Sequence, residues 1–474
     1  ITTNRIDTAS VYGIAREAAT ILPEFGISAK LKEIKVDKKI EGDHKIDLKI
    51  KPDPKNVRRV MAVVIKDIKN NKSPQWMIER LQNSGLRSIN LLVDITNYIM
   101  LEYGHPTHVF DYDKLTNKQM LFRLSKPGED IITLDSKKYK LPGGDIVIDE
   151  GSGTIIDIPG IMGTKNSSVS DITKNIVFFV DNINPIRIRK TSLSLNIRSY
   201  AVILNEKSVD PKLAEIAFYK GIELYASLSR GVVFSKVFDY YKKPISPKPI
   251  QVSIEFIEKI IGIKVEPKRI VSILQNLGFS VHISRLNLLR VAPPSWRQED
   301  VTIPEDIVEE VARIIGYHNL PSKIMNGEIP EKINKSQFEF ENLIRNTLVN
   351  LGGYEVYTSS LTTKSNAGEN ALQLRNPLGS DTEYLRTTLK NSLVDAANTN
   401  TKEDKAFHLF EIANVYLKKE NDLPDEKMML AGVIVRDNFR NAKGIVETFL
   451  ESINSNYKFE MQILESNFFY FEFV

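Results

Sequence analysis

One stretch, Pro293–Tyr317 (PPSWRQEDVTIPEDIVEEVARIIGY), constrains this chain more than any other. From Pro304 onward, Ile307, Val308, Val311, Ile314 and Ile315 recur at i, i+1, i+4, i+7 and i+8, which predicts a helix with one apolar stripe. Pro304 falls in the first turn, where its missing N–H is harmless. Asp306, Glu309, Glu310 and Arg313 share a second face, and Asp300 lies close enough upstream to fold toward it. Carboxylates converging on one spot repel each other unless a cation or an arginine sits among them. An all-oxygen set of this kind suits a hard ion such as magnesium. The same residues also describe an acidic first turn favoured by the helix dipole, with an ordinary solvated face, and spacing alone favours that plainer description.

The chain has 474 residues, enough for about three domains. Its 42% hydrophobic and 26% charged content is that of a soluble globular protein. No apolar run approaches the ~18–20 residues of a membrane span. No signal-peptide pattern opens the chain, and it begins at Ile1, so a fragment of a longer protein is expected. Cysteine is absent, which excludes disulfides, zinc–thiolate sites and thiol nucleophiles and fits a cytosolic protein. The net charge of +4, from 64 basic and 60 acidic residues, is too slight a bias to argue for nucleic-acid binding.

In chain order, a loop feeds a helix near Ser10, and the lysine-rich segment 30–51 alternates isoleucines as an exposed strand pair would. From Arg58 to Lys243 short strands prevail, MAVVI (61–65) and IVFFV (176–180) among them, with one clear helix at Ser73–Ser84 closing on Gly85. Neither glycine-rich stretch is followed by Lys-Ser/Thr, so no P-loop is present. Pro244, Pro247 and Pro249 mark a linker. Ile254–Ile261 and Pro267–Leu277, each ended by glycine, then a strand at Leu286–Val291, predict a small helix-turn-helix module that the 304–315 helix completes. After a polar connection, 321–334, come a helix over Lys335–Leu351, several strands, and a helix near Leu385–Asn398. The expected domains are 1–56, 57–243, 244–325 and 326–474, and the fold class is α+β, multidomain.

The six histidines include no HExxH pair, and His105-Pro-Thr-His108 lacks the partners of a zinc site. No GxSxG elbow occurs. The richest polar cluster runs from Asn90 to Asp111, where Asn90, Asp94, Asn97, His108 and Asp111 lie amid apolar residues. An unpaired polar group there costs a few kcal/mol, so these side chains either satisfy one another or line a pocket.

The residues SINLLVDITNYIMLEYGHPTHVFD (88–111) resemble the editing module in the β subunit of bacterial phenylalanine–tRNA ligase. PSWRQEDVTIPEDIVEEVARIIGY resembles the motif that follows in that subunit, and TNRIDTASVYGIARE its first domain. NPLGSDTEYLRTTL (376–389) and HLFEIANVY (408–416) resemble its synthetase-like domain. The match covers nearly the whole chain in the family's order. It implies a mixed-strand editing module, a helix-turn-helix-like module, and a catalytically silent class II synthetase-like domain with an antiparallel sheet. It further implies an α2β2 enzyme that charges tRNA(Phe) using ATP bound by the α subunit. Asp300, Asp306, Glu309 and Glu310 would share a magnesium ion with α, although Trp296 and Asp300 are spaced four apart where the family usually has three. On that reading, joint replacement of Glu309 and Glu310 by alanine weakens magnesium-dependent charging without unfolding the module.

The resemblance also implies an editing pocket for mischarged tyrosyl-tRNA, into which Asn97, His108, Gly160 and Ala201 carry over. The departures are larger here. Thr164 replaces the last glycine of the family's loop, Ser199-Tyr200-Ala201-Val202 stands for its TEAS segment, and Phe179 holds the position of its glutamate. A pocket that accepts tyrosine and rejects phenylalanine needs a polar partner for the hydroxyl, and Phe179 cannot supply one. Asp181, two residues along and on the same strand face, is the substitute on offer. A weakened editing pocket is therefore expected. The family's N-terminal oligonucleotide-binding-fold domain and C-terminal anticodon-reading domain have no counterpart, so truncation at both ends is expected. The rivals are a free-standing aminoacyl-tRNA deacylase and a non-enzymatic nucleic-acid-binding scaffold.

Overall fold

Ten residues, VRRVMAVVIK, form the strand Val57–Lys66, about which the first part of the molecule is built. The computed structural model describes residues 2–40, 42–242, 244, 246–284, 287–324, 327, 336–401, 405–420, 422–453, 462–465 and 468–473. They divide into two units, Ile1–Ile324 and Met325–Val474.

In the first unit Val57–Lys66 pairs antiparallel with Ile176–Ile183, which pairs in turn with His108–Asp111, while Val232–Val233 and Phe238–Tyr240 also bond to Val57–Lys66. All eight residues of Ile176–Ile183 are buried, because this sheet is covered on both faces. Val177, Phe179 and Ile183 face a second sheet; Ile176, Phe178 and Val180 face the helices Gln75–Asn83, Leu91–Tyr103 and Leu213–Leu228. The second sheet runs Lys49–Lys51, Gln119–Leu124, Ile146–Asp149, Ile155–Ile158, Met162–Gly163; its first pairing is parallel and the rest antiparallel.

The sequence reading of 30–51 as a strand pair does not hold. Only Lys49–Lys51 forms a strand among the described residues of that segment. Val36 and Ile40 rest on the helical core while Leu48 and Ile50 enter the inter-sheet core, so the alternating residues serve two cores and never form one ribbon.

Residues 250–317 combine the expected helix pair with a sheet. Ile254–Ile261 and Pro267–Asn276 are joined across Gly262, whose φ of +83° favours glycine. A three-stranded antiparallel sheet, ordered Ile250–Ser253, Leu288–Ala292, Ser280–Ile283, backs them. Leu286, where the sequence placed a strand start, lies outside the described residues. Pro304–Ile315 then packs its stripe, Ile307, Val308, Val311, Ile314 and Ile315, into the same core.

The second unit is a five-stranded sheet ordered Gly353–Glu355, Phe407–Leu417, Asp425–Val435, Phe468–Phe473, Gln462–Glu465, antiparallel after its first pair. Helices Ser336–Asn350 and Phe439–Ser452 cover one face and Lys390–Asn400 the other. The predicted start of the first of these, Lys335, is outside the described residues. Lys390–Asn400 begins later than expected because Tyr384–Leu385 pairs with Leu361–Thr362 as a short ribbon.

Candidate functional site

Where the two sheets of the first unit meet, they enclose a cavity of about 60 Å³. His108 reaches it from the start of its strand, Asp181 from Ile176–Ile183, and Asp157 from the middle of Ile155–Ile158. Gly160, Ile161 and Met162 contribute the turn that follows, and Ala201 and Asn205 a short helix, Tyr200–Asn205. Thr107, His108, Gly160, Met162 and Ala201 are partly exposed and form the mouth; Asp157, Asp181 and Asn205 are buried and form the floor.

Local chemistry fixes the turn. Gly160 has φ +73°, and Asn205 Nδ2 donates to its carbonyl at 3.2 Å. Ser199 caps the Tyr200–Asn205 helix by accepting from Val202 N–H, and its hydroxyl donates to the Ile161 carbonyl at 2.7 Å. Gly163 must stay small, since a Cβ there would meet His108 Cε1 at 2.8 Å.

No arginine or lysine lines this cavity. Burial drives the Asp157 carboxyl well above the usual carboxylate range, and the neighbouring Asp181 charge adds to the shift. Burial likewise pushes Asp181 up to about 7 and the His108 imidazole down to about 4, leaving the histidine neutral. His108 keeps a sliver of exposure at the mouth, but the protein packed around it governs its charge.

Of the residues predicted for this pocket, His108, Gly160, Asp181 and Ala201 line it, and Ser199 braces it through Ile161. Asn97 and Phe179 do not. Asn97 lies on Leu91–Tyr103, the helix on the other side of the sheet. Phe179 is fully buried between Phe110 and Phe122, ring centroids 5.5 and 6.3 Å away. Asp157 and Asn205 were missed: one is a lone carboxylate in an apolar run, the other falls in Leu204–Ser208, a stretch that departs from the family's pattern. The wider polar cluster turns out to be mostly self-satisfied. Asn90 caps its helix, Asp94 accepts from Ser73, Ser88 and Ile89 N–H, and Asp111 accepts from Thr173 and Asp113 N–H. A larger groove of about 580 Å³, lined by Ile131, Thr154, Thr164 and Asn166 among others, shares no residue with this cavity.

The acidic helix Pro304–Ile315 does not gather its carboxylates. Glu310 is 1% exposed and is gripped by Arg297 Nη2 at 2.7 Å and Arg313 Nη2 at 2.5 Å. Burial pushes its carboxyl up, but hydrogen bonds and charge from the two arginines outweigh that and hold it below the usual range. Arg297 Nε also holds Asp300 at 3.0 Å, and Arg313 Nη1 reaches Glu17 of the first helix at 2.6 Å. Asp306 accepts from Thr302 and Ile303 N–H at the helix start, and Glu309 is exposed. Among the described residues no group of three or more acidic or histidine side chains is placed to hold a metal ion.

Comparison with known proteins places these parts in one lineage. The sequence model of the B3/4 domain matches residues 56–230, that of the tRNA synthetase B5 domain 250–317, and that of the phenylalanyl tRNA synthetase beta chain CLM domain 320–470. The phenylalanine–tRNA ligase beta subunit of Carboxydothermus hydrogenoformans is 34% identical over 96% of this chain. The chain belongs to the phenylalanine–tRNA ligase β-subunit family. The Clostridium tetani subunit is 31% identical over 98% of the chain. The chain spans 59% and 60% of the lengths of these two relatives. An N-terminal fragment of the Pyrococcus horikoshii β-subunit aligns with 67% of this chain and 85% of its own, at 18% identity and a TM-score of 0.35, too distant a likeness to bear on the site. The cavity thus lies in the B3/4 domain and the acidic helix in the B5 domain. In this β-subunit relative a resident magnesium does not fit the four B5 carboxylates as they stand, because guanidinium groups already neutralise Asp300 and Glu310.

Proposed function

We propose that this chain serves as the β subunit of a cytoplasmic phenylalanine–tRNA ligase. In an α2β2 assembly it supports ATP-dependent attachment of phenylalanine to tRNA(Phe), with ATP and phenylalanine bound by the α chain. The observation that carries this reading is the succession of matches to B3/4, B5 and CLM domain models between residues 56 and 470. A free-standing deacylase would not need the second and third of these. No helix among the described residues is long and apolar enough to cross a membrane.

Within this function the B3/4 cavity is a weakened site for hydrolysing mischarged tyrosyl-tRNA. Neutral His108 at the mouth can accept or give a hydrogen bond, beside the Gly160–Gly163 turn that Ser199 and Asn205 brace. The weakening follows from Phe179, which packs into the core and offers no polar atom. Asp300 and Glu310 are committed to arginines and Asp306 to the backbone N–H groups of the helix start, so no magnesium ion shared with α is proposed at this helix. Co-expression with the α subunit of the same genome tests the assignment. A stable complex that charges tRNA(Phe) is expected; two chains that purify apart, or together without charging, refute it.

A further inference from the structure

The B3/4 cavity holds a carboxylate that the family resemblance does not call for. Asp157 comes from one sheet and Asp181 from the other, and both reach the same floor with 4% and 6% of their surface exposed. No cation lines the cavity to neutralise them. Asp181 Oδ2 is buried and has no hydrogen-bond partner, an acceptor left open in a packed interior. Two carboxylates buried at one cavity floor with no cation beside them cannot both ionise at low cost, so at neutral pH at least one of them keeps its proton.

Such a pair offers one O–H donor and one anionic acceptor. Its complement is a neutral end group that gives one hydrogen bond and takes one, a hydroxyl above all. A phosphate or carboxylate would be repelled, and an ammonium, a donor only, would leave the pair's O–H without an acceptor. The volume of about 60 Å³ is well below the several hundred of a pocket that engulfs a whole ligand, so the cavity takes the end of a side chain and the rest of the ligand stays outside.

We propose that Asp157 and Asp181 act together as a hydroxyl-binding pair that selects aminoacyl groups ending in a hydroxyl. The protonated member donates to the hydroxyl oxygen and the ionised member accepts its hydrogen. Selectivity then comes from two residues on strands of different sheets, neither residue at the Phe179 position. The inference rests on reading the cavity as an aminoacyl-ester pocket, and its test separates the two.

The complex with the α subunit is given p-cresol and toluene as probes, and tyrosyl-tRNA and phenylalanyl-tRNA as esters. Wild type should bind p-cresol at least about tenfold tighter than toluene, the scale of one unmatched buried hydrogen bond. Asp157→Ala should abolish that preference, whereas Asp157→Asn, which mimics the protonated member, should keep it. The ratio of tyrosyl to phenylalanyl deacylation should fall with Asp157→Ala in the same proportion, with charging unchanged. If p-cresol preference follows Asp157 while neither ester is cleaved, the hydrolytic reading fails and the hydroxyl pair stands. If p-cresol and toluene bind alike, or Asp157→Ala leaves the preference intact, the pair is refuted. Should Asp157→Ala not fold, Asp181→Ala carries the same expectation and the same refuting result.

Discussion

Glu309 and Glu310 adjoin in sequence and differ in almost everything else. Glu310 is buried between Arg297 and Arg313, so Glu310→Ala takes a partner from each, leaving Arg297 to Asp300 and Arg313 to Glu17. That should cost roughly 2–3 kcal/mol in denaturant unfolding, whereas Glu309→Ala, at an exposed site, should stay within about 0.5 kcal/mol. The double alanine variant expected from the motif to spare the fold is therefore a folding variant first, and any loss of charging it shows is uninformative about magnesium. Asp181 gives a second residue-scale expectation. Its carboxyl is raised to about 7 by burial, so the neutral form is the one that folding favours. Its contribution is fully present below the unfolded carboxylate range, near pH 4, and is lost as pH rises through about 7. Asp181→Asn should gain stability on wild type progressively between those limits, by a few kcal/mol, then level off; a difference independent of pH would contradict the buried-carboxyl account. His105 and His108, both lowered to about 4, act in the opposite sense below pH 6.5 and are common to both proteins, so the comparison cancels them.

Among elements, the helix Leu213–Leu228 sits unusually close to the central sheet. A Cβ on Gly221 would meet Phe178 Cζ at 2.3 Å, and Phe178 stacks on Phe218 of the same helix at 5.4 Å. Gly221→Ala should thus lift the helix off the strand and cost about 1–3 kcal/mol by overpacking, despite alanine's better helix propensity. Thermal unfolding with the helix's aromatic fluorescence as probe would register it. This close approach was not legible in the sequence, because a lone glycine in a helical pattern reads as tolerated. Other elements were legible in detail. The apolar stripe of Pro304–Ile315 is buried at every predicted position, and Ser10 caps Val11–Ile21 as its placement suggested. The strand Ile250–Ser253 escaped notice because four residues beside a proline-rich linker carry too little periodicity.

For the whole molecule, the order of domains was readable from long motifs, while the sites between elements were not. Arg313–Glu17 joins residues 296 positions apart, and Asp157 and Asp181 come to one cavity from two sheets. Spacing along a chain reports only neighbours on one element: it left the acidic face a plain one, the resemblance added a metal, and the fold instead sets Arg297, from outside the helix, beside Arg313 of the helix itself. The same reasoning explains why Asn97 was drawn into the pocket and Asp157 left out: the first lies in a recognised motif, the second only in space.

The topology of the central sheet also carries a cost in time. Val57–Lys66 completes its pairing only with Ile176–Ile183 and Phe238–Tyr240, so this apolar strand leaves the ribosome long before its last partner exists. At about 5–20 residues per second, the intervening residues 67–240 take roughly 10–35 s to synthesise. For that interval the nascent chain exposes a long aggregation-prone edge, and its yield in cells should depend on chaperone supply more than its final stability would suggest.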